Sequence, residues 1–112
     1  MSGISTHVLD TAKGRPAQGL RVVLERRSLE GGWSEVGNGV TDQNGRVAEL
    51  LGNGEGLLAA SYRLTFSTGE YFHGQECFYP EVIVLFDVRD ASAHYHVPLL
   101  LSPYGYTTYR GS

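Results

Sequence analysis

Apolar residues in this chain alternate with polar ones over short runs, glycine-containing turns break those runs, and few stretches keep a helical period for long. In Leu20-Arg21-Val22-Val23-Leu24-Glu25-Arg26 the residues Leu20, Val22 and Leu24 fall on one face, as in a strand with one side buried. Further strand candidates are Ser5 to Leu9, Trp33 to Val36, Val47 to Leu51, Tyr62 to Phe66, Val82 to Val88, Tyr95 to Leu101 and Tyr106 to Tyr109. Gly31-Gly32, Asn38-Gly39 and Asn44-Gly45 mark turns between them. About eight short strands at this spacing predict an all-β sandwich. The single helical candidate is a short segment around Gly69 to Gln75.

A chain of 112 residues predicts one domain over 1–112, long enough to bury roughly two-thirds of its unfolded surface. The apolar fraction of 41% and charged fraction of 19% are those of an ordered globular protein. Apolar runs such as Val97 to Leu101 are too short to span a bilayer, and Met1 to Thr6 lacks the basic and apolar regions of a signal peptide. A cytoplasmic location, with no membrane contact, is the expectation. Net charge −3 and a pI near 5.7 argue against a nucleic-acid partner. The lone Cys77 cannot form an internal disulfide and reads as a small apolar residue rather than a nucleophile.

Two strands carry more than fold information. In Val82 to Val88 both alternating sets are largely apolar, Val82, Val84, Phe86 and Val88 against Ile83 and Leu85. A half-exposed antiparallel strand needs only one apolar face, so a second subunit is the simplest cover for the other. From Ala93 onward the inward set is Ala93, Tyr95, Val97, Leu99 and Leu101, which leaves His94 and His96 together on the outward face. Histidines on an outward face that another copy covers predict a binding site at a subunit interface.

Paired imidazoles suit proton transfer near neutral pH. His94-x-His96 could also hold zinc with His7 or His73 as a third ligand. That pattern is short and common, so metal-free chemistry is the expectation and no cofactor is implied. Asp42-Gln43-Asn44-Gly45 starts like a calcium loop, but the position of the closing glutamate falls on Asn53, so it reads as a turn that projects Arg46. No serine-nucleophile elbow, phosphate-binding glycine loop or dinucleotide fingerprint occurs. The closing Tyr109-Arg110-Gly111-Ser112 gathers a phenol, a guanidinium, a hydroxyl and a carboxylate. If the last strand pairs with the one before it, these groups come near the histidines.

The opening Thr6-His7-Val8-Leu9-Asp10-Thr11-Ala12-Lys13-Gly14-Arg15-Pro16-Ala17 resembles the N-terminal signature of the transthyretin-like family. The run from His94 through Tyr109-Arg110-Gly111-Ser112 resembles its enzymatic branch, the 5-hydroxyisourate hydrolases, and Thr41-Asp42-Gln43-Asn44-Gly45-Arg46 is similar to that branch's arginine turn. The resemblance spans essentially the whole chain, in order.

It implies a sandwich of two four-stranded sheets with one short helix, assembled as a homotetramer. In that dimer of dimers the active sites lie in a channel at the dimer–dimer interface. It also implies hydrolysis of 5-hydroxyisourate to 2-oxo-4-hydroxy-4-carboxy-5-ureidoimidazoline in urate degradation. Carried over by position, His7, Arg46 and His96 would be catalytic, with Tyr109, Arg110, Gly111 and Ser112 around the substrate and Tyr109 closing the channel. His94 ranks below His96, because its counterpart also occurs in the hormone-carrying branch. That branch, a carrier without catalysis, is the alternative within the family. Outside it, an adhesion or carbohydrate-binding sandwich is disfavoured by the outward histidines.

Overall fold

The alternating segments pair into two sheets in a computed structural model whose described residues are 3–112. The elements in chain order are β1 (Gly3–Asp10), β2 (Arg15–Pro16), β3 (Arg21–Arg27), β4 (Trp33–Val40), β5 (Arg46–Val47), β6 (Ala60–Phe66), α1 (Thr68–Tyr71), β7 (Val82–Val88), β8 (His94–Ser102) and β9 (Gly105–Thr108). One sheet has the antiparallel order β4-β3-β6-β7. The other runs β2-β1-β8-β9. In it β1 and β8 are parallel from Gly3↔His94 to Asp10↔Leu101. The opposite edge of β1 is shared, with β2 against Leu9 and Asp10 and β5 against Thr6 and His7.

The expected pair of four-stranded sheets is therefore present, with the two-residue β5 added to one of them. The longer strand expected over Val47 to Leu51 is not formed. Leu50 N–H still donates to Ile4 O at 2.8 Å. The Glu49 carboxylate, however, accepts from the backbone N–H of Ile4 at 3.1 Å and of Leu51 at 3.0 Å. A side chain thus takes the place of a backbone ladder, and regular pairing stops at Val47. The helix is also shorter than the sequence suggests, four residues over Thr68–Tyr71.

The core lies between the sheets. Val22 and Leu24 of β3 and Tyr62, Leu64 and Phe66 of β6 are buried with Ile4 and Val8 of β1 and Leu99 and Leu101 of β8. Each such side chain contributes about 1.5–3 kcal/mol of burial. The alternation predicted for β3 and β8 decides which residues these are. On β7, an edge strand, Val82 and Val88 are buried while Ile83 and Leu85 are 54% and 62% exposed.

α1 is anchored by a partly buried polar contact. Tyr71 Oη donates to Asp10 Oδ2 at 2.7 Å, and Asp10 Oδ1 accepts from Lys13 N–H at 3.0 Å. Burial, then the hydrogen bond and charge of Asp10, push the Tyr71 phenol up to about 12. No helix among the described residues is long and apolar enough to cross a membrane.

Candidate active site

β1 turns Ile4, Thr6 and Val8 toward the core, so Ser5 and His7 point outward from its sheet. On β8 Tyr95, Val97 and Leu99 point inward and His94 and His96 outward, as alternation predicts. The parallel register sets Ser5 opposite His96. Ser5 Oγ lies 2.8 Å from His94 Nε2 and 2.8 Å from His96 Nδ1. One hydroxyl thus bridges both imidazoles.

Arg46 arrives from the far edge of the same sheet, where β5 pairs it with His7. The turn expected before it is present. Asp42 Oδ1 accepts from the backbone N–H of Asn44 at 2.8 Å and of Arg46 at 3.0 Å. Those two bonds, with smaller help from the Arg46 and His7 charges, hold the Asp42 carboxyl below its usual range. Gly45 completes the turn with φ +77°. Its carbonyl accepts from Val8 N–H at 2.7 Å, and any Cβ there would collide with Val8 O. Glycine is required at this point for the arginine turn to lie against β1.

The chain end returns to His96 from the other side. β9 pairs with β8 through Leu99↔Thr108, and beyond the strand Gly111 N–H donates to His96 O at 2.8 Å. A Cβ on Gly111 would sit 2.5 Å from His96 Cδ2, so only glycine lets the terminal segment close onto that ring. Ser5, Arg46, His94, His96 and Ser112 then line one open cleft of about 340 Å³.

The structure divides the other predicted residues. His7 stands across from Arg46 and acts electrostatically on His96, but it is not among the residues lining the cleft. Tyr109 and Arg110 line a neighbouring hollow with Val84, Phe86 and Tyr95, and His96 borders both spaces. Alternation suggests opposite directions for Tyr109 and Arg110, yet β9 ends at Thr108 and strand periodicity stops with it. The Arg110 guanidinium sits 4.8 Å above the Tyr95 ring centroid, a cation–π distance. His73 is exposed beyond α1, and Cys77 is half-buried with its Sγ 3.5 Å from Tyr79 O.

Burial, and after it the charges of His7, Arg46 and His94, hold His96 below the ordinary histidine value. The ring is therefore neutral at neutral pH and able to accept a proton. Where the nitrogens of His94 and His96 converge, they meet the Ser5 hydroxyl. Among the described residues no group of three or more His, Cys, Asp or Glu side chains is arranged for a metal ion. Sequence reasoning missed Ser5. Alternation places it on the outward face with His7, but only the register of β1 against β8 brings it to the histidines.

The model of the HIUase/Transthyretin family matches residues 4–111. The chain belongs to the HIUase/Transthyretin family. A 5-hydroxyisourate hydrolase of Salmonella dublin is 45% identical over 111 residues, which cover 97% of this chain and 80% of that protein. The structure of Klebsiella pneumoniae 5-hydroxyisourate hydrolase superposes with a TM-score of 0.84 at 36% identity, covering 99% of this chain and 100% of that one. Sea bream transthyretin in complex with thyroxine superposes at 0.88 with 32% identity, covering 96% and 93%. Within the HIUase/Transthyretin family, then, backbone shape alone does not separate a 5-hydroxyisourate hydrolase from a transthyretin in complex with thyroxine.

Proposed function

We propose that the protein hydrolyses 5-hydroxyisourate to 2-oxo-4-hydroxy-4-carboxy-5-ureidoimidazoline, a ring opening in urate degradation. The observation that carries this reading is the cleft in which Ser5 bridges His94 and His96 beside Arg46 and Ser112. Relatives named 5-hydroxyisourate hydrolase, from Salmonella dublin among others, support it. A carrier needs no proton acceptor. A neutral histidine beside a guanidinium is what amide hydrolysis needs.

The reaction is addition of water to an amide-like carbonyl, followed by cleavage of the ring C–N bond. In this reading His96 takes a proton from the attacking water at Nε2, since Nδ1 is occupied by Ser5. The Arg46 guanidinium orients the electron-rich ring and stabilises the oxyanion that develops on the carbonyl oxygen. As the C–N bond breaks, the leaving nitrogen receives the proton that His96 took from water, the carbon becomes a carboxylic acid that ionises, and His7 acts through its electrostatic influence on His96. Ser112 binds and orients the substrate. Gly111 brings the terminal segment against His96, and Tyr109 and Arg110 shape the adjoining wall.

The same reading makes the chain a single-domain cytoplasmic enzyme working as a homotetramer, a dimer of dimers with its sites at the dimer–dimer interface. The open cleft on an outward sheet face and the exposed Ile83 and Leu85 support that assembly. The deciding experiment follows the absorbance of freshly made 5-hydroxyisourate with and without the protein. Acceleration in proportion to protein concentration is expected. Spontaneous decay unchanged by the protein, together with tight binding of an iodinated aromatic hormone, would establish the carrier instead.

A further inference from the structure

We propose that Ser5 is a positioning residue of the reaction. Its hydroxyl joins His94 and His96 into one directed hydrogen-bond chain that keeps the proton of His96 on Nδ1 and leaves Nε2 bare. The consequence for rate rests on the hydrolase reading above; the hydrogen-bond chain itself does not.

The argument begins with a count of protons. A serine hydroxyl carries one, so it can donate to only one of two imidazoles and must accept from the other. Ser5 Oγ is 2.8 Å from a nitrogen of each ring, so both links are full hydrogen bonds. Two directions satisfy the chain. In one, His96 Nδ1–H donates to Ser5 Oγ and Ser5 Oγ–H donates to His94 Nε2. In the other, every donor and acceptor is exchanged, and the proton of His96 moves to Nε2.

Only the first direction leaves His96 with a lone pair on the nitrogen away from Ser5. It also survives the reaction unchanged. When Nε2 takes a proton from water, the resulting imidazolium still donates from Nδ1 to Ser5, now as the stronger, charge-assisted bond. No group has to turn. A neutral histidine side chain in water prefers its proton on Nε2, so without Ser5 the lone pair would rest on Nδ1, the nitrogen turned toward Ser5, rather than on Nε2.

Placement makes the hydroxyl suitable for this task. Ser5 is 8% exposed on β1, which is hydrogen-bonded along both edges, so its backbone is held and its side chain has little open space. His96 is confined on its far side by Gly111, against its Cδ2. The ring is thus fixed from two directions, by a hydrogen bond at Nδ1 and by backbone at Cδ2. His94, the outer link, is exposed and can keep its own proton on Nδ1 in water.

Nitrogen-15 NMR of the histidine rings in the intact protein, with steady-state kinetics, tests the proposal. In wild type His96 should carry its proton on Nδ1. Ser5→Ala should move it to Nε2 and lower kcat by about tenfold or more, part of the ~10²–10⁴ that a positioned base supplies, with KM little changed. Ser5→Thr, which keeps a hydroxyl on a strand, should restore the tautomer and most of kcat. A wild-type His96 protonated on Nε2, or Ser5→Ala with wild-type kcat, would overturn the proposal. If Ser5→Ala fails to fold, the wild-type and Ser5→Thr spectra decide it. Should wild type not accelerate hydroxyisourate decay, the hydrolase reading fails while the tautomer measurement still decides the chain.

Discussion

His96 receives constraints from three distant parts of the chain, namely Ser5 at its Nδ1, Gly111 at its Cδ2 and backbone, and the charges of His7 and Arg46. Replacing it with Ala should lower kcat by about 10²–10⁴-fold, the loss typical of a general base, while substrate binding changes less. The depressed basicity of the ring fixes the sign of two pH effects. A base that must be neutral gives an acid limb in kcat/KM, and its midpoint should lie below about 6.5, the unperturbed histidine value. For stability, the unfolded chain binds a proton at His96 more readily than the folded one. Stabilisation tied to the neutral ring is therefore complete above about 6.5 and lost as pH falls through the folded value. Denaturant midpoints of wild type and His96→Asn, compared on both sides of that range, should converge toward acid pH. Strand alternation points to His96 and a turn signature to Arg46, while His7 is marked by the family resemblance. Ser5 could not be picked out, since a serine in a strand carries no chemical signal until its cross-strand partner is known.

Elements bring these residues together through pairings far apart in sequence. The link between Ser5 and His94 spans 89 positions, and no local pattern specifies that β1 lies parallel to β8. Local features were legible for the opposite reason. Alternation over Leu20 to Arg26 and over Tyr95 to Leu101 reports directly on which side chains are buried. Where a long-range contact overrides the pattern, the reading fails, as where Glu49 replaces ladder bonds and ends β5 at Val47. The segment after β9 shows how much an element's end matters. Deleting Tyr109 to Ser112 removes the Gly111 bond to His96 but leaves the β8–β9 ladder through Thr108 intact. Thermal unfolding of the truncated protein should remain cooperative, and hydroxyisourate turnover should fall to background; full activity would exclude these residues from the site. At the other end of the sandwich, Tyr71→Phe removes the donor to Asp10 Oδ2, a carboxylate buried in the fold. The expected loss is about 1–3 kcal/mol in a denaturant titration. The same phenol binds its proton more tightly when folded. Its contribution should thus be intact below about 10 and disappear as pH rises toward about 12.

For the whole molecule the decisive question is what covers the outward apolar side of β7. Ile83 and Leu85 leave large apolar surfaces in water in the single chain, on an edge strand whose other face packs into the core. Within one chain a substitution there should cost little, since surface changes away from special contacts usually fall within about ±0.5 kcal/mol. In the proposed tetramer the same position would be buried, and a lysine would have to lose its hydration without a partner. Ile83→Lys separates the two cases, because Ile83 borders neither the cleft of Ser5, His96 and Ser112 nor the adjoining hollow of Tyr109 and Arg110. Sedimentation should show a smaller species with an intact, cooperatively folded chain, and hydroxyisourate turnover should drop. A lysine variant with wild-type mass and wild-type rate would mean that this face is not an interface. A variant that dissociates yet keeps its full rate would place the complete active site within one subunit. That outcome would detach the catalytic reading of the cleft from the assembly reading of β7, because the first rests on the Ser5, His94 and His96 geometry and the second on exposed apolar surface alone.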